Sequence, residues 1–270
     1  MGRKPGILLI GHGSRDRRWV ALADGLAAEV RDLLPAEVPV EAAFLELVEG
    51  RLIQDGIDRL ERAGVTDMFV IPLFVSSGSH HVREIRWAFG CDVAEVGPDG
   101  ELQTGLTPFR VSARVIFGAP MDDHAEIAEI LLDRLAVLSD SSDRSRESVL
   151  LIGHGRREPE LLVKWQAGLG ALARRVREAG GFADADFATL SPDTVADKAR
   201  MMRLRRPDAA LLAVPVFLSE GYFTKTVIPQ RLAGLDCRYD GTALLPHPGA
   251  SRWAVRQARE WLRRQGFEPC

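Results

Sequence analysis

Short apolar runs alternate along the chain with longer stretches whose apolar residues recur at helical spacing. Residues 6–10 form an apolar run of the buried-strand type. Over 15–34, Trp19, Leu22, Leu26, Val30 and Leu33 repeat at the period of an amphipathic helix. Residues 38–45 read as a second strand. Residues 52–63 read as a helix that stops at Gly64. Residues 68–75 are almost wholly apolar, as a parallel strand covered on both faces must be. The pattern then predicts a helix over 80–88, a short strand over 91–96, a hairpin or loop over the Gly- and Pro-punctuated 97–107, and a closing helix over 123–138.

Residues 139–148 contain no apolar side chain and read as a linker. Beyond it the scheme returns: a strand over 149–152, a helix over 160–179, a strand over 209–218, a helix over 227–232 and a closing helix over 251–264. Two phrases make the return explicit. Ile10-Gly11-His12-Gly13 recurs as Ile152-Gly153-His154-Gly155, and about sixty residues later Pro72-Leu73-Phe74-Val75-Ser76-Ser77-Gly78 recurs as Pro215-Val216-Phe217-Leu218-Ser219-Glu220-Gly221. Alternating strands and helices imply parallel sheets flanked by helices, with right-handed crossovers. The expected fold is α/β, with two tandem homologous domains at 1–138 and 149–270 joined by 139–148.

Composition narrows the function without choosing it. The 270 residues suit two domains, each of about 130 residues and able to bury a core. A net charge of −3 marks neither a nucleic-acid binder nor a membrane-surface binder. No apolar run reaches the length of a membrane span. Cys91, Cys237 and Cys270 are scattered, which speaks against a disulfide framework or a zinc knot and for a reducing compartment. Cys91 and Cys237 are expected to be buried as small apolar residues. The first residues, Met-Gly-Arg-Lys-Pro, lead into a strand with no apolar signal region, so a cytoplasmic location is expected.

In open parallel sheets, ligands bind beyond the carboxyl ends of the strands, where strand order reverses. His12 ends the first strand, Glu46 the second, and His80 follows the third. A strand order of 2-1-3 makes these ends neighbours. Two imidazoles and a carboxylate suit borderline divalent metals and leave coordination positions open. Gly11, Gly13 and Gly78 allow sharp turns and close approach. Arg15, Arg17, Arg18, Arg83 and Arg86 lie near the same landmarks and suit a polycarboxylate ligand. His81 is expected to face solvent from its helix, His124 to be exposed, and His247 to lie near His154 without forming a metal site.

Leu9-Ile10-Gly11-His12-Gly13-Ser14-Arg15-Asp16, Phe44-Leu45-Glu46-Leu47 and Pro72 through His80 together resemble the class II, ATP-independent tetrapyrrole chelatases of the CbiX and SirB type, in their long tandem form. The resemblance covers nearly the whole chain. It implies insertion of cobalt(II) or iron(II) into sirohydrochlorin, on the way to cobalamin or sirohaem. The metal is then a substrate, and no prosthetic cofactor, nucleic acid or membrane is involved. It also implies that His12 and His80 handle the metal with Glu46 as acidic partner. Gly11, Gly13, Ser14, Arg15, Gly78, Ser79 and Arg83 are the expected substrate contacts. The sequence departs from the family pattern after the second histidine, where His81-Val82-Arg83-Glu84-Ile85-Arg86 lacks the Asp-Ile-Pro of many members. The doubled histidine leaves both His80 and His81 as candidates; the Gly-x-His spacing favours His80. In the second half His154 matches His12, whereas Thr189 stands at the place of Glu46 and Phe223 at that of His80. One site, in the first half, is expected. Tyr222 and Phe223 could cover a macrocycle face. Internal duplication replaces a dimer, so a monomer or weak dimer is expected.

Two other classes compete. Histidine phosphatases also end a first strand in a histidine, but within Arg-His-Gly, and here Gly11 stands where that arginine would be. A cobalt or nickel carrier or sensor would bind metal without turning over a tetrapyrrole. A nucleotide-driven enzyme is disfavoured by the absence of a Gly-x-x-x-x-Gly-Lys-[Ser/Thr] loop.

Overall fold

Ile7, Leu8, Leu9 and Ile10 are all fully buried in the first strand, β1 (Pro5–Gly11). Each such side chain gains about 1.5–3 kcal/mol on leaving water, which fixes this strand at the centre of its sheet. The computed structural model describes residues 2–92 and 105–267. In chain order β1 is followed by α1 (Arg17–Leu33), β2 (Val40–Phe44), α2 (Ile53–Arg62), β3 (Asp67–Pro72), α3 (His80–Ala88) and β4 (Arg114–Phe117). These strands form one parallel sheet in the order β2-β1-β3-β4. One of its cores joins Leu8 and Ile10 to Ile53, Ile57 and Leu60 of α2 and to Val82 and Ile85 of α3.

The chain continues with α4 (Ala125–Leu138), β5 (Glu147–Gly155), α5 (Pro159–Gly180), β6 (Asp184–Ser191), α6 (Val195–Arg205), β7 (Ala210–Pro215), α7 (Ile228–Leu232) and α8 (Pro248–Arg264). A π-helical turn, Phe223–Val227, leads into α7. The second sheet is also parallel, in the order β6-β5-β7. Both sheets thus place the first strand of their repeat in the middle, the 2-1-3 order on which the converging strand ends depend. Among the described residues no helix is long and apolar enough to cross a membrane.

Compact units and sequence repeats do not coincide. One unit comprises the chain to Phe74, Ser79–Pro120 and the residues from Ser251; the other comprises Val75–Gly78 and Met121–Ala250. In the first unit, Trp261 of α8 stacks on Phe69 with ring centroids 5.1 Å apart. The Gln257 side chain there accepts from the Ala119 N–H at 2.8 Å. In the second unit, α4 buries Ile127, Ile130, Leu131 and Leu135 and packs against α5 and β7.

Several elements differ from the sequence-based expectation. The polar stretch 139–148 is not all linker: it contains a 3-10 turn at Arg144–Arg146, and β5 already begins at Glu147. Glu147 is 1% exposed. Its burial is tolerated because Ser139 Oγ lies 2.7 Å from one of its carboxylate oxygens and Arg238 Nη1 lies 3.6 Å from the other. The strand expected over 91–96 begins as a bend at Cys91 and Asp92, and its remainder lies outside the described residues, as does most of the 97–107 loop. The pattern missed β4, β6 and α6. Strand β6 carries Asp184 and Asp186, and Asp186 pairs with Lys198 at 3.0 Å and Arg205 at 2.9 Å from α6. These charges disguise a strand whose polar residues are neutralised by the next helix.

Candidate active site

The carboxyl ends of β1 and β2 are held level by register: Gly11 pairs with Phe44, and Ile10 pairs with Pro72 of β3. The chain leaves β1 through Gly13, whose φ of +97° is open to glycine at little cost. A Cβ there would lie 1.9 Å from the Glu46 carbonyl oxygen. That close approach lets the Glu46 N–H donate to the His12 carbonyl at 3.1 Å. His12 Nδ1 faces the Gly13 carbonyl at 3.2 Å, and Glu46 Oε1 lies 3.6 Å from the same nitrogen. A carbonyl only accepts, so this contact suits the imidazole tautomer with its proton on Nδ1, which leaves the Nε2 lone pair for a metal or a proton. Glu46 therefore stands on the Nδ1 side of the ring.

His80 and His81 open α3 behind Ser79, which occupies the N-cap without a side-chain cap bond. Helical spacing brings Glu84 under both. Its Oε2 lies 3.0 Å from His81 Nδ1 and 3.9 Å from His80 Nε2. The His80 and His81 ring centroids are 3.7 Å apart. The ring that meets His12 is that of His81, edge-on at 4.5 Å. His81 is therefore not the solvent-facing helix residue expected from the sequence: its side chain is 23% exposed and lies between His12, Phe74 and Glu84. Glu84 was not foreseen. The signal available for it was its spacing of three and four residues from the two histidines.

The arginines divide. Arg15 and Arg17, with Ser14 and Leu47, line an open cleft of about 430 Å³ beside the His12–Glu46 turn. Leu47 has a φ of +66° and is 49% exposed, a strained and wet setting for a leucine next to Glu46. Arg18 is occupied by Asp16, the N-cap of α1, at 2.8 Å. Arg86 is held by Asp92 at 2.6 Å, and Arg83 is half-buried on α3. Gly78 has a packing reason within the second unit, where a Cβ would meet the Leu161 carbonyl oxygen at 2.6 Å. Neither cysteine described belongs to the cluster. Cys91 is exposed rather than buried, in the bend that follows α3. Burial pushes the half-buried Cys237 thiol up to about 11.

Among the described residues, the second repeat keeps the turn without the cluster. His154 Nδ1 faces the Gly155 carbonyl at 3.1 Å. Gly155 has a φ of +72°, and a Cβ there would lie 2.3 Å from the Ser191 carbonyl oxygen. Register corrects two sequence matches. Gly153 pairs with Thr189 as Gly11 pairs with Phe44, so Thr189 answers to Phe44 and Ser191 answers to Glu46. Thr189 is buried and donates to the Pro192 carbonyl at 2.7 Å. Phe223 meets His154 edge-on at 4.9 Å and Phe217 at 6.0 Å, which is the place His81 takes against His12 and Phe74. Phe223 thus answers in space to His81 rather than to His80, because the π-helical turn shifts the start of that helix. His247 is committed elsewhere: Nε2 lies 3.1 Å from Asp133 and Nδ1 accepts from the Gly249 N–H.

The CbiX family model matches this chain twice, over residues 6–138 and 148–259. The chain belongs to the CbiX family. Among CbiX-related proteins, the sirohydrochlorin cobaltochelatase of Methanopyrus kandleri is 28% identical over 135 residues, 48% of this chain and 93% of that protein. The sirohydrochlorin ferrochelatase of Bacillus subtilis is 28% identical over 163 residues, 58% of this chain and 54% of that protein. In structure, the chain is similar to SirB from Bacillus subtilis with Fe3+, with a TM-score of 0.71, 20% identity and 95% of each chain covered. It is also similar to a CbiX described as the terminal enzyme for biosynthesis of siroheme in denitrifying bacteria, with a TM-score of 0.60, 18% identity and 96% and 99% coverage. At such identities the structural likeness speaks to fold. Each CbiX segment contains one Gly-His-Gly turn; among the described residues, imidazoles and carboxylates flank the first, and Phe217 and Phe223 flank the second.

Proposed function

We propose that the chain is a sirohydrochlorin chelatase: it inserts a divalent metal, cobalt(II) or iron(II), into sirohydrochlorin and releases two protons. The observation that carries this reading is the gathering of His12, Glu46, His80, His81 and Glu84 at the carboxyl ends of β1 and β2 and the first turn of α3. Membership of the CbiX family over both repeats supports it, as do the chelatase names of related proteins.

Insertion breaks two pyrrole N–H bonds and forms four metal–nitrogen bonds, so the site must hold a metal loosely and accept two protons. Imidazoles with free lone pairs meet both needs near neutral pH. In this reading His12 faces the transfer with Nε2 while the Gly13 carbonyl and Glu46 fix its tautomer from behind. Glu46 then orients His12 rather than leading the coordination. His80 and His81 approach from α3. Arg15 and Arg17 line the adjacent cleft, where a guanidinium fork suits the carboxylates of the macrocycle. The metal is a substrate, and the second repeat serves the fold. A cytoplasmic enzyme acting as a monomer or weak dimer, in cobalamin or sirohaem synthesis, fits this reading.

The test is anaerobic absorbance spectroscopy of sirohydrochlorin with cobalt(II) or iron(II), with and without catalytic amounts of protein. A metal-dependent spectral change faster than the uncatalysed one, without ATP, is expected. Cobalt binding with no acceleration by folded protein for any metal would replace the chelatase with a carrier.

A further inference from the structure

Asp122 carries a carboxyl that the proposed chemistry does not use. It stands three residues before the start of α4, with a φ of +34°. Its N–H donates to the Val75 carbonyl at 3.1 Å, and its Oδ1 accepts from the Ser77 N–H at 2.9 Å. Gly168 of α5 leaves room for this contact: a Cβ there would lie 3.3 Å from the same oxygen. Burial raises the Asp122 pKa, against the lowering effect of its backbone and side-chain hydrogen bonds to Ser77. A carboxylate is thus kept here at a cost to stability.

In the second repeat the same backbone is built without that carboxylate. Leu245 stands three residues before the start of α8, and its N–H donates to the Leu218 carbonyl at 2.8 Å. Leu218 matches Val75 in the paired phrases, so Leu245 answers to Asp122 through the same backbone bond. A leucine side chain offers no acceptor. Aspartate tolerates positive φ better than most residues, but that tolerance gives Asp122 no reason to hold Ser77. Ser77 lies in the segment Val75–Gly78, which runs on into Ser79, the N-cap of α3, and then into His80 and His81. The matching segment of the second repeat runs on into the π-helical turn at Phe223–Val227. We infer that Asp122 is a positioning residue: by holding the Ser77 N–H it fixes the course of the chain into α3, and so which of His80 and His81 turns toward His12. The inference rests on the chelatase reading for the reaction it serves, but not for the contact itself.

The experiment compares Asp122→Gly and Asp122→Asn with wild type in the full chain, after circular dichroism has shown each to be folded. Glycine keeps the positive φ and removes the acceptor; asparagine keeps both. Amide hydrogen exchange is followed over residues 75–84, and kcat and KM are measured for sirohydrochlorin with cobalt(II). In Asp122→Gly the Ser77 amide is expected to exchange about tenfold faster or more. Its kcat is expected to fall about tenfold, with KM within about twofold of wild type. Asp122→Asn is expected to stay within about twofold of wild type in both readouts. Unchanged exchange in Asp122→Gly, or faster exchange with an unchanged kcat, would overturn the positioning role. Equal losses of kcat in both variants would overturn it too, by assigning the effect to the charge. If Asp122→Gly fails to fold, wild type and Asp122→Asn still decide: a Ser77 amide that exchanges freely in either would contradict the contact. The outcome is separable from the chelatase reading. A Ser77 amide protected in wild type and freed in Asp122→Gly, in a protein that does not accelerate insertion, would reject the enzyme and leave Asp122 as the residue that fixes the chain into α3.

Discussion

His12 and His154 each turn Nδ1 to the carbonyl of the following glycine, at 3.2 and 3.1 Å, and both glycines sit at positive φ against a carbonyl from the neighbouring strand end. Around His12 stand Glu46, His81, His80 and Glu84. Around His154 stand Phe223 and Phe217. The backbone turn and the imidazole–carbonyl contact are thus properties of the fold, kept in both repeats. The donors gathered about the ring are, among the described residues, kept in one repeat only, and the proposed chemistry rests on them. A Gly-His-Gly phrase after a buried strand marks the scaffold; in the proposed function its neighbours carry the reaction.

The sharpest way to break this contrast is to remove the imidazole that has partners. His12→Ala should slow sirohydrochlorin metallation at least a hundredfold, the usual weight of a lost acid–base or ligating group, while thermal unfolding stays near that of wild type. Glu46→Gln should cost about tenfold to a hundredfold in insertion rate, as for other groups that orient a metal-handling histidine. Steady-state rates by absorbance would show it, and an unchanged rate would remove Glu46 from the site.

Gly155→Ala probes what the second turn is for. The added Cβ meets Ser191 at 2.3 Å in a backbone region that L-residues avoid. Stability should fall by about 2 kcal/mol or more, read from a urea unfolding midpoint. The smallest effect concerns Asp122, a carboxyl outside the site. Its Oδ1 accepts from the Ser77 N–H at 2.9 Å, and burial raises its pKa. A raised folded value means that ionisation opposes folding. Wild-type stability should therefore decline as pH rises from about 3.9 through the folded value. Asp122→Asn keeps the acceptor and removes the charge. It should gain about 0.5 kcal/mol at pH 7, a gain that vanishes below about pH 4. A gain that persists at pH 3 would contradict the burial argument.

Much of the fold was legible because buried parallel strands write themselves as uninterrupted apolar runs; β1 and β3 could hardly be read otherwise. Strand β6 was hidden because its aspartates are balanced by Lys198 and Arg205, a tertiary pairing with no local signature. In the site, His12 and Glu46 followed from strand ends and sheet order. His81 did not, because which of two adjacent histidines turns inward depends on where α3 begins. The match of Thr189 to Glu46 failed by two residues because register, not the look of a phrase, sets which residue reaches the strand end.

The central claim is that one repeat performs the chemistry, and it is tested most directly by the insertion rate of His154→Ala set beside those of wild type and His12→Ala in the same anaerobic assay. The account predicts a rate within about twofold of wild type for His154→Ala and at least a hundredfold loss for His12→Ala. Comparable losses in both, from folded proteins, would contradict it.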